Sequence, residues 1–308
     1  MQINTAIVIV SWNGMEDLLK CLASLEKLDP PRPRIVVVDN GSTDGTGEAV
    51  RDRFPEVELL SLSENLGFAG GNNRGIERAL GGGAEYVCLL NNDTAVDPGF
   101  LNALLRAAGE FPRAGILGSR VLYRSRPETV WSQGISVGKR TGRVYAAHYN
   151  RPAREVPETP ENADGVSGAA MLLRAETLRQ TGLFDEDYFL CFEDLDLCLR
   201  GRERGWEVMT VPASKVYHSV SGSMGGEYSP RVVYYSTRNH FLLLNRRFPF
   251  PPLPRGIRNL RIAIYTALFA LFTAKFQPRP WARGILDYAR GRLGKIILDG
   301  EWGVGNGE

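Results

Sequence analysis

Short apolar, β-branched runs alternate with longer segments of helical apolar spacing through the first part of the chain. In 14–28, for example, Leu18, Leu19, Leu22 and Leu25 fall on one helical face. Strands are predicted at Thr5–Ser11, Arg34–Asp39, 57–62, 86–90 and 115–122, with helices between them at 14–28, 43–54, 70–80 and 97–108. This alternation predicts an α/β fold with a mostly parallel central sheet flanked by helices.

The pattern changes after residue 122. Residues 123–163 are rich in Arg, Pro, Gly and Thr and predict an irregular or β-hairpin insertion. Beyond the insertion, strands are predicted at 168–174, 206–211 and 215–217, and helices at 175–181, 193–204 and 230–248. A Pro-rich break at 248–254 precedes two further helices, at about 255–276 and 281–298.

The amino-acid composition indicates which broad class of protein this is. The 308 residues, 43% hydrophobic and 23% charged, are typical of a globular chain with a sizeable core. Four cysteines without a C-x-x-C pair favour free thiols in a reducing compartment. The start of the chain lacks the long apolar run of a signal peptide, so we expect a cytoplasmic protein.

Polar side chains follow each of the first four predicted strands. They are Ser11 and Asn13; Asp39, Asn40 and Ser42; Asn65, Gly67 and Asn72; and Asn91, Asn92 and Asp93. A parallel sheet brings such strand ends to one edge, where ligands bind. Taken singly, each cluster is ordinary turn chemistry, and Asp93 is either a turn cap or part of a metal and diphosphate site. The chain has no P-loop, and Trp12-Asn13-Gly14 after the first strand is not a dinucleotide-binding glycine motif.

Four motifs in order carry a resemblance to a known family. They are residues 6–13, 37–42 (VVDNGS), 64–72 (ENLGFAGGN) and 90–93 (LNND). Together they resemble inverting family-2 glycosyltransferases with a GT-A fold, and the rhamnosyltransferase-like branch in particular. The resemblance implies a GT-A domain over residues 1–248, divided into a nucleotide-binding half (1–122) and an acceptor and catalytic half (123–248). A C-terminal helical extension, 249–308, follows.

The same resemblance implies a nucleotide-diphospho-sugar donor, such as a dTDP- or UDP-sugar. Asp39 would bind the base, and Ser11, Asn13 and Ser42 would lie near the nucleoside; the other strand-end amides, with Gly67, would line the pocket. Asp93 stands for the last acid of the D-x-D motif, which binds Mg²⁺ or Mn²⁺ on the diphosphate. Asn91 replaces the first acid of that motif. A single carboxylate supplies few of the oxygen ligands that a hard cation needs.

Glu193 and Asp194 form the second candidate cluster. One interpretation is a helix start, where acids suit the helix dipole. The other is a general base, because an inverting transfer needs a carboxylate to take the acceptor hydroxyl proton. The resemblance implies this role for Asp194, with Glu193 positioning the acceptor.

Three further groups are candidates. His218, one of only three histidines, is either structural or, as in some relatives, a metal ligand beside Asp93. A Ser/Gly-rich loop, 219–226, follows it and could close over the diphosphate. Gly168 and Ala169 either admit an acceptor sugar or serve close packing, and Trp131 either stacks on that sugar or belongs to the core.

The C-terminal extension concerns membranes. Residues 262–274 carry no charge but are flanked by Arg255, Arg258, Arg261, Lys275, Arg279 and Arg283. This run is too short to span a bilayer and favours a helix lying on an anionic leaflet. The alternative is a helix in the core or at an oligomer interface. A homodimer is therefore also possible on the sequence. We therefore expect a peripheral enzyme at the inner membrane face, with a glycan or lipid-linked acceptor and no nucleic acid. Two alternatives remain, a nucleotidyltransferase and a non-catalytic nucleotide-sugar or membrane-binding scaffold.

Overall fold

The computed structural model describes residues 4–220, 229–272 and 277–296. Its first part alternates strands and helices as predicted, with one additional short strand, β5. The elements are β1 (Thr5–Ser11), α1 (Met15–Leu25), β2 (Arg34–Asp39), α2 (Thr46–Arg53), β3 (Glu58–Ser61), α3 (Gly67–Gly81), β4 (Tyr86–Asn91), β5 (Thr94–Val96), α4 (Phe100–Glu110) and β6 (Ala114–Tyr123).

The second part completes the sheet and adds the C-terminal helices. Its elements are β7 (Arg126–Ser132), β8 (Ile135–Val137), β9 (Val144–Ala146), β10 (Glu161–Asn162), β11 (Ala170–Arg174), α5 (Ala175–Thr181), α6 (Glu193–Glu203), β12 (Glu207–His218), α7 (Pro230–Arg247), α8 (Pro252–Phe272) and α9 (Pro278–Ala289). The predicted insertion contains the small β8–β9 hairpin.

The main sheet has the order β10-β12-β6-β11-β4-β1-β2-β3. Strands β4, β1, β2 and β3 are parallel, whereas β11 runs antiparallel between β4 and β6. The carboxyl ends of the parallel strands therefore meet the start of β11 at one edge. This arrangement places residues from both halves of the chain around a single crevice.

The last long strand joins two strands that the sequence predicts separately. β12 pairs with β6 on both sides of a register shift between Val211 and Lys215. Pro212 lies in that interval and has no N–H to donate to the ladder, which explains why a bulge divides one strand into two apolar runs. The strand continues to His218, which pairs with Thr94 of β5.

The glycines of α3 serve close packing. A Cβ on Gly71 would lie 2.7 Å from Val10 Cγ1, and one on Gly75 would overlap the Val8 side chain. Both neighbours belong to β1, so the glycines let α3 lie directly against the sheet. This packing fixes the loop before α3 at the edge of the crevice.

The segment that follows α8 packs against α7 and against loops from both parts of the chain. Tyr234 of α7 donates a hydrogen bond of 3.0 Å to the buried Asp287 of α9. Beyond α9, Gly294 N–H donates to the carbonyl of Asp187 at 2.7 Å, and Lys295 pairs with Glu64 at 2.8 Å. Within the described ranges, no helix combines the length and apolar content that crossing a bilayer requires.

Candidate active site

A cavity of about 310 Å³ opens at the carboxyl edge of the parallel strands. It brings together most of the candidate residues from both halves of the chain. The candidates that line it are Asn40, Asn65, Gly67, Asn91, Asn92, Asp93, Trp131, Gly168, Ala169, Glu193, Asp194 and His218. The structure thus places the two acidic clusters, which are about a hundred residues apart in sequence, on the wall of one cavity.

Five candidate residues are not among those that line the cavity: Ser11, Asn13, Asp39, Ser42 and Asn72. Asp39 accepts a hydrogen bond from the Ser42 N–H at 3.0 Å. Asn13 N–H in turn donates to Ser42 Oγ, also at 3.0 Å. Asn72 donates to the carbonyl of Phe68 one turn earlier in α3. The bonds of Asn13, Asp39 and Ser42 join the loop after β1 to the loop after β2.

Asn40 and Asn65 hold the loop before α3. Asn40 donates to Asn65 Oδ1 at 3.1 Å and to the Gly67 carbonyl at 3.0 Å, and it accepts from Leu66 N–H at 2.9 Å. Asn65 Oδ1 also accepts from Gly67 N–H at 2.7 Å. The nucleotide half of the cavity is therefore preorganised by its own amides.

Asp93 and His218 meet at the floor of the cavity. His218 Nε2 lies 2.9 Å from Asp93 Oδ1 and 3.4 Å from Asn91 Nδ2. The Trp131 ring packs edge-on against the imidazole, with 4.8 Å between the ring centroids. His218 Nδ1 is buried without a hydrogen-bond partner among the described residues. The predicted loop 219–226 lies mostly outside the described residues.

This pair fits part of the coordination shell of a divalent cation. The Asp93 carboxylate and the His218 imidazole are adjacent on the same cavity; a carboxylate oxygen suits Mg²⁺ or Mn²⁺, and an imidazole nitrogen is a ligand of transition metals. In the part of the chain that the structure describes, no group of three His, Cys, Asp or Glu side chains converges. A divalent cation held here would therefore need oxygen atoms of a bound diphosphate and water as its other ligands.

Asp194 is half-buried, and its carboxylate is held at the start of α6. Its Oδ2 accepts from Gly168 N–H at 2.9 Å and its Oδ1 from Leu195 N–H at 2.7 Å. Burial raises the pKa of Asp194, and these hydrogen bonds act in the opposite direction. A Cβ on Gly168 would lie 2.9 Å from the Phe68 ring, so glycine allows the backbone to approach both Phe68 and Asp194.

Glu193 differs from its neighbour in its hydrogen bonding. Its Oε2 is buried and has no partner among the described residues. Burial raises the pKa of Glu193 well above the usual glutamate range, and the charge of Asp194 adds to the increase. Two adjacent carboxyls in such different environments can divide the roles of neutral donor and charged base.

The loop before this pair has an unusual backbone. Phe189, Cys191 and Phe192 have φ values of 60°, 68° and 74°, in the left-handed region that side-chain-bearing residues seldom adopt. Each such residue costs about 1–3 kcal/mol and persists only where the surroundings hold it. The loop leads directly into Glu193, so its conformation sets the position of the acidic pair.

Two buried residues of α7 hold that loop, and sequence reasoning missed both. Asn239 donates to the carbonyls of Tyr188, Leu190 and Cys191 at 2.8, 2.7 and 2.9 Å. Arg238 donates to the carbonyls of Asp187 and Tyr188 at 2.9 and 3.0 Å, and to Gly294 at 2.8 Å. The sequence did carry one signal for them, an adjacent Arg and Asn in an apolar helix pattern. Such a pair indicates buried polar side chains, which need hydrogen-bond partners.

Asp196 is the structural acid of the same helix. It is fully buried and accepts from Tyr188 Oη at 3.1 Å and from Arg200 Nε and Arg247 Nε, each at 2.8 Å. The helix therefore directs Glu193 and Asp194 to the cavity and Asp196 to an ion-pair network that ties α6 to α7.

A cation that sequence reasoning also missed lines the cavity. Arg231, in the first turn of α7, places its guanidinium 4.8 Å from the Trp12 ring centroid, and both residues line the cavity wall. Among the described residues no carboxylate pairs with Arg231. The residue is remote in sequence from every strand-end loop, so no local motif marked it.

Comparisons with known proteins agree with this arrangement. The model of glycosyl transferase family 2 matches residues 6–179. An N-acetylglucosaminyl-diphospho-decaprenol L-rhamnosyltransferase of Mycobacterium tuberculosis is 31% identical over 261 residues, covering 78% of this chain and 84% of the relative. The dTDP-rhamnosyl transferase RfbF of Shigella flexneri is 26% identical over 285 residues, covering 89% and 90%.

A solved structure shows the same fold. The mannosyltransferase PcManGT from Pyrobaculum calidifontis, in complex with GDP-Man and Mn²⁺, aligns with a TM-score of 0.57 at 18% identity, covering 96% of this chain and 77% of that one. The fold is GT-A, as the resemblance implied. The chain belongs to glycosyltransferase family 2 and is a nucleotide-sugar glycosyltransferase.

Proposed function

We propose that this enzyme transfers rhamnose from dTDP-rhamnose, with inversion, to a sugar of a lipid-linked or polysaccharide acceptor. The two rhamnosyltransferases that align over most of the chain support the donor sugar. The relative from Mycobacterium tuberculosis, which carries a lipid diphosphate in its name, supports the acceptor class. Asp39, Asn40, Asn65 and the other strand-end residues would shape the nucleotide pocket.

Asp194 is the proposed general base. The observation that carries this assignment is a half-buried carboxylate on the cavity wall, held by the Gly168 and Leu195 N–H groups. It would take the proton of the acceptor hydroxyl as that oxygen attacks the anomeric carbon and the C–O bond to the diphosphate breaks. Glu193, whose pKa burial raises well above the usual glutamate range, would in its protonated form donate a hydrogen bond that positions the acceptor.

On the donor side, Asp93 and His218 would hold the divalent cation, Mg²⁺ or Mn²⁺. When bound, the cation supplies positive charge against the developing charge of the leaving diphosphate. Asn91 contacts His218 and would orient it. Arg231 would add a second positive charge on the same cavity.

The acceptor would enter beside β7 and β11. Trp131 lines the cavity and its buried Nε1–H lacks a partner among the described residues, which suits a hydrogen bond to an acceptor sugar. Gly168 and Ala169 leave room at the same wall.

We also propose that the GT-A domain ends near residue 248 and that the following helices lie on the inner face of the cell membrane as a peripheral anchor.

The base assignment is tested with Asp194→Asn. We expect a folded variant whose sugar transfer falls by about 10²–10⁴-fold, because an amide cannot accept the proton. Asp52→Asn, at an exposed position in α2, is the matched control and should retain full activity. Transfer near the wild-type rate by folded Asp194→Asn would overturn the assignment.

The donor is tested by a panel of nucleotide sugars with the wild-type enzyme. We expect dTDP-rhamnose to have the highest kcat/KM and transfer to stop when EDTA removes the divalent cation. Preference for a UDP-hexose would replace the proposed sugar without affecting the base assignment. Activity that EDTA leaves unchanged would remove the metal from the proposal.

A further inference from the structure

Helix α8 exposes a continuous apolar stripe. Its members recur every three or four residues, and their exposed fractions range from 47% to 76%. They are Leu253, Ile257, Leu260, Ile264, Leu268 and Leu271. The opposite face, through Ile262, is buried against α7. An exposed stripe of this length marks an interaction surface.

A basic loop of the acceptor half lies against this helix. The loop, residues 138–143, connects β8 to β9 and exposes Lys139, Arg140 and Arg143. The Arg143 guanidinium stacks 4.3 Å from the centroid of the Tyr265 ring in α8. The Gly142 carbonyl lies 2.7 Å from His240 Nε2 of α7, which fixes the loop on the helical layer. No acidic side chain of the described residues pairs with the three loop cations.

The loop and the stripe are contiguous. Arg261 is one turn before Tyr265 on the same side of α8, and it neighbours Ile257 and Ile264 of the stripe. Neither residues 252–272 nor residues 138–147 contain Asp or Glu. A row of cations thus borders the apolar side chains without any intervening negative charge.

We propose that residues 138–143 and the α8 stripe form one docking surface for an anionic lipid bilayer. The stripe would enter the acyl boundary while Lys139, Arg140, Arg143 and Arg261 contact lipid phosphates. This inference rests on the proposed membrane-facing function and extends it, because the loop belongs to the acceptor half. The loop would hold that half at the leaflet in which a lipid-linked acceptor is embedded.

The experiment measures binding of the full chain to vesicles by sedimentation. Vesicles of phosphatidylglycerol mixed with phosphatidylcholine are compared with vesicles of phosphatidylcholine alone. The variant Lys139→Gln/Arg140→Gln/Arg143→Gln should bind the anionic vesicles about a hundredfold more weakly, because each basic residue near such a surface contributes about fivefold. The control Lys27→Gln/Arg53→Gln/Arg106→Gln removes equal charge from exposed positions of the nucleotide half and should bind like wild type.

Three results would overturn the docking surface. They are equal binding to both vesicle types, equal loss of binding in the loop variant and its control, and a stable dimer that Leu260→Ser/Ile264→Ser dissociates. A water-soluble acceptor analogue separates this inference from the enzymatic proposal. The loop variant should use it with unchanged kcat, whereas a wild-type protein that binds vesicles but transfers no sugar would contradict only the proposed function.

Discussion

The two sides of the cavity are built differently. On the proposed nucleotide side, the amides of Asn40 and Asn65 bond to each other and to the backbone of Leu66 and Gly67, so these bonds join the loops after β2 and β3. On the catalytic side, the loop before Glu193 has three non-glycine residues in the left-handed region and depends on Asn239 of a distant helix. The proposed donor site is therefore held by bonds between neighbouring strand-end loops, whereas the proposed base follows a loop that helix α7 holds.

The largest effect expected from this comparison is on the stability of the catalytic side. Asp196→Asn should lower the free energy of unfolding by about 3–5 kcal/mol, because it leaves Arg200 and Arg247 without their buried counter-charge. Chemical denaturation measures the change. The exposed variant Asp52→Asn should change stability little, and an Asp196→Asn protein as stable as wild type would show that the ion pairs do not anchor α6.

A smaller effect, on rate, tests the clamp on the loop. Asn239→Ala removes hydrogen bonds to three carbonyls, and we expect kcat to fall about 10–100-fold while the donor KM stays unchanged. The KM for donor is the discriminating readout, since general destabilisation would not spare it selectively. Ser236→Ala, which loses only a bond to a carbonyl of its own helix, is the control. Equal kcat in the two variants would mean that the loop keeps its shape without Asn239.

The third test concerns Glu193, the carboxyl whose pKa burial raises well above the usual range. Because burial raises the pKa of Glu193, the folded chain retains a proton that the unfolded chain releases as pH rises past the ordinary glutamate range. The free energy of unfolding should then fall by about 1.4 kcal/mol per pH unit until the raised pKa is reached. Glu193→Gln cannot titrate and should lose this slope in denaturation series at several pH values. Parallel slopes for both proteins would place the proton elsewhere.

The same comparison explains what the sequence could predict. The β1–β4 strand ends follow from local patterns, since an apolar run and the polar residues after it are adjacent in the chain. The meeting of Asp93 with His218 followed from family resemblance. Arg231, Arg238 and Asn239 could not be assigned, because their partners lie in other elements and no spacing connects them. β12 appeared as two strands because Pro212 interrupts the pattern at its bulge.

The smallest effect is expected on the nucleotide side. Asn65→Ala removes acceptors for Gly67 N–H and Asn40 Nδ2, yet Asn40 keeps its bonds to the Gly67 carbonyl and the Leu66 N–H. We expect a loss of about 1 kcal/mol in unfolding free energy and a several-fold rise in donor KM, with kcat unchanged. Steady-state kinetics with varied donor measures both constants. If kcat fell as much as in Asn239→Ala, the two sides of the cavity would be coupled, and the nucleotide loops would also position the base.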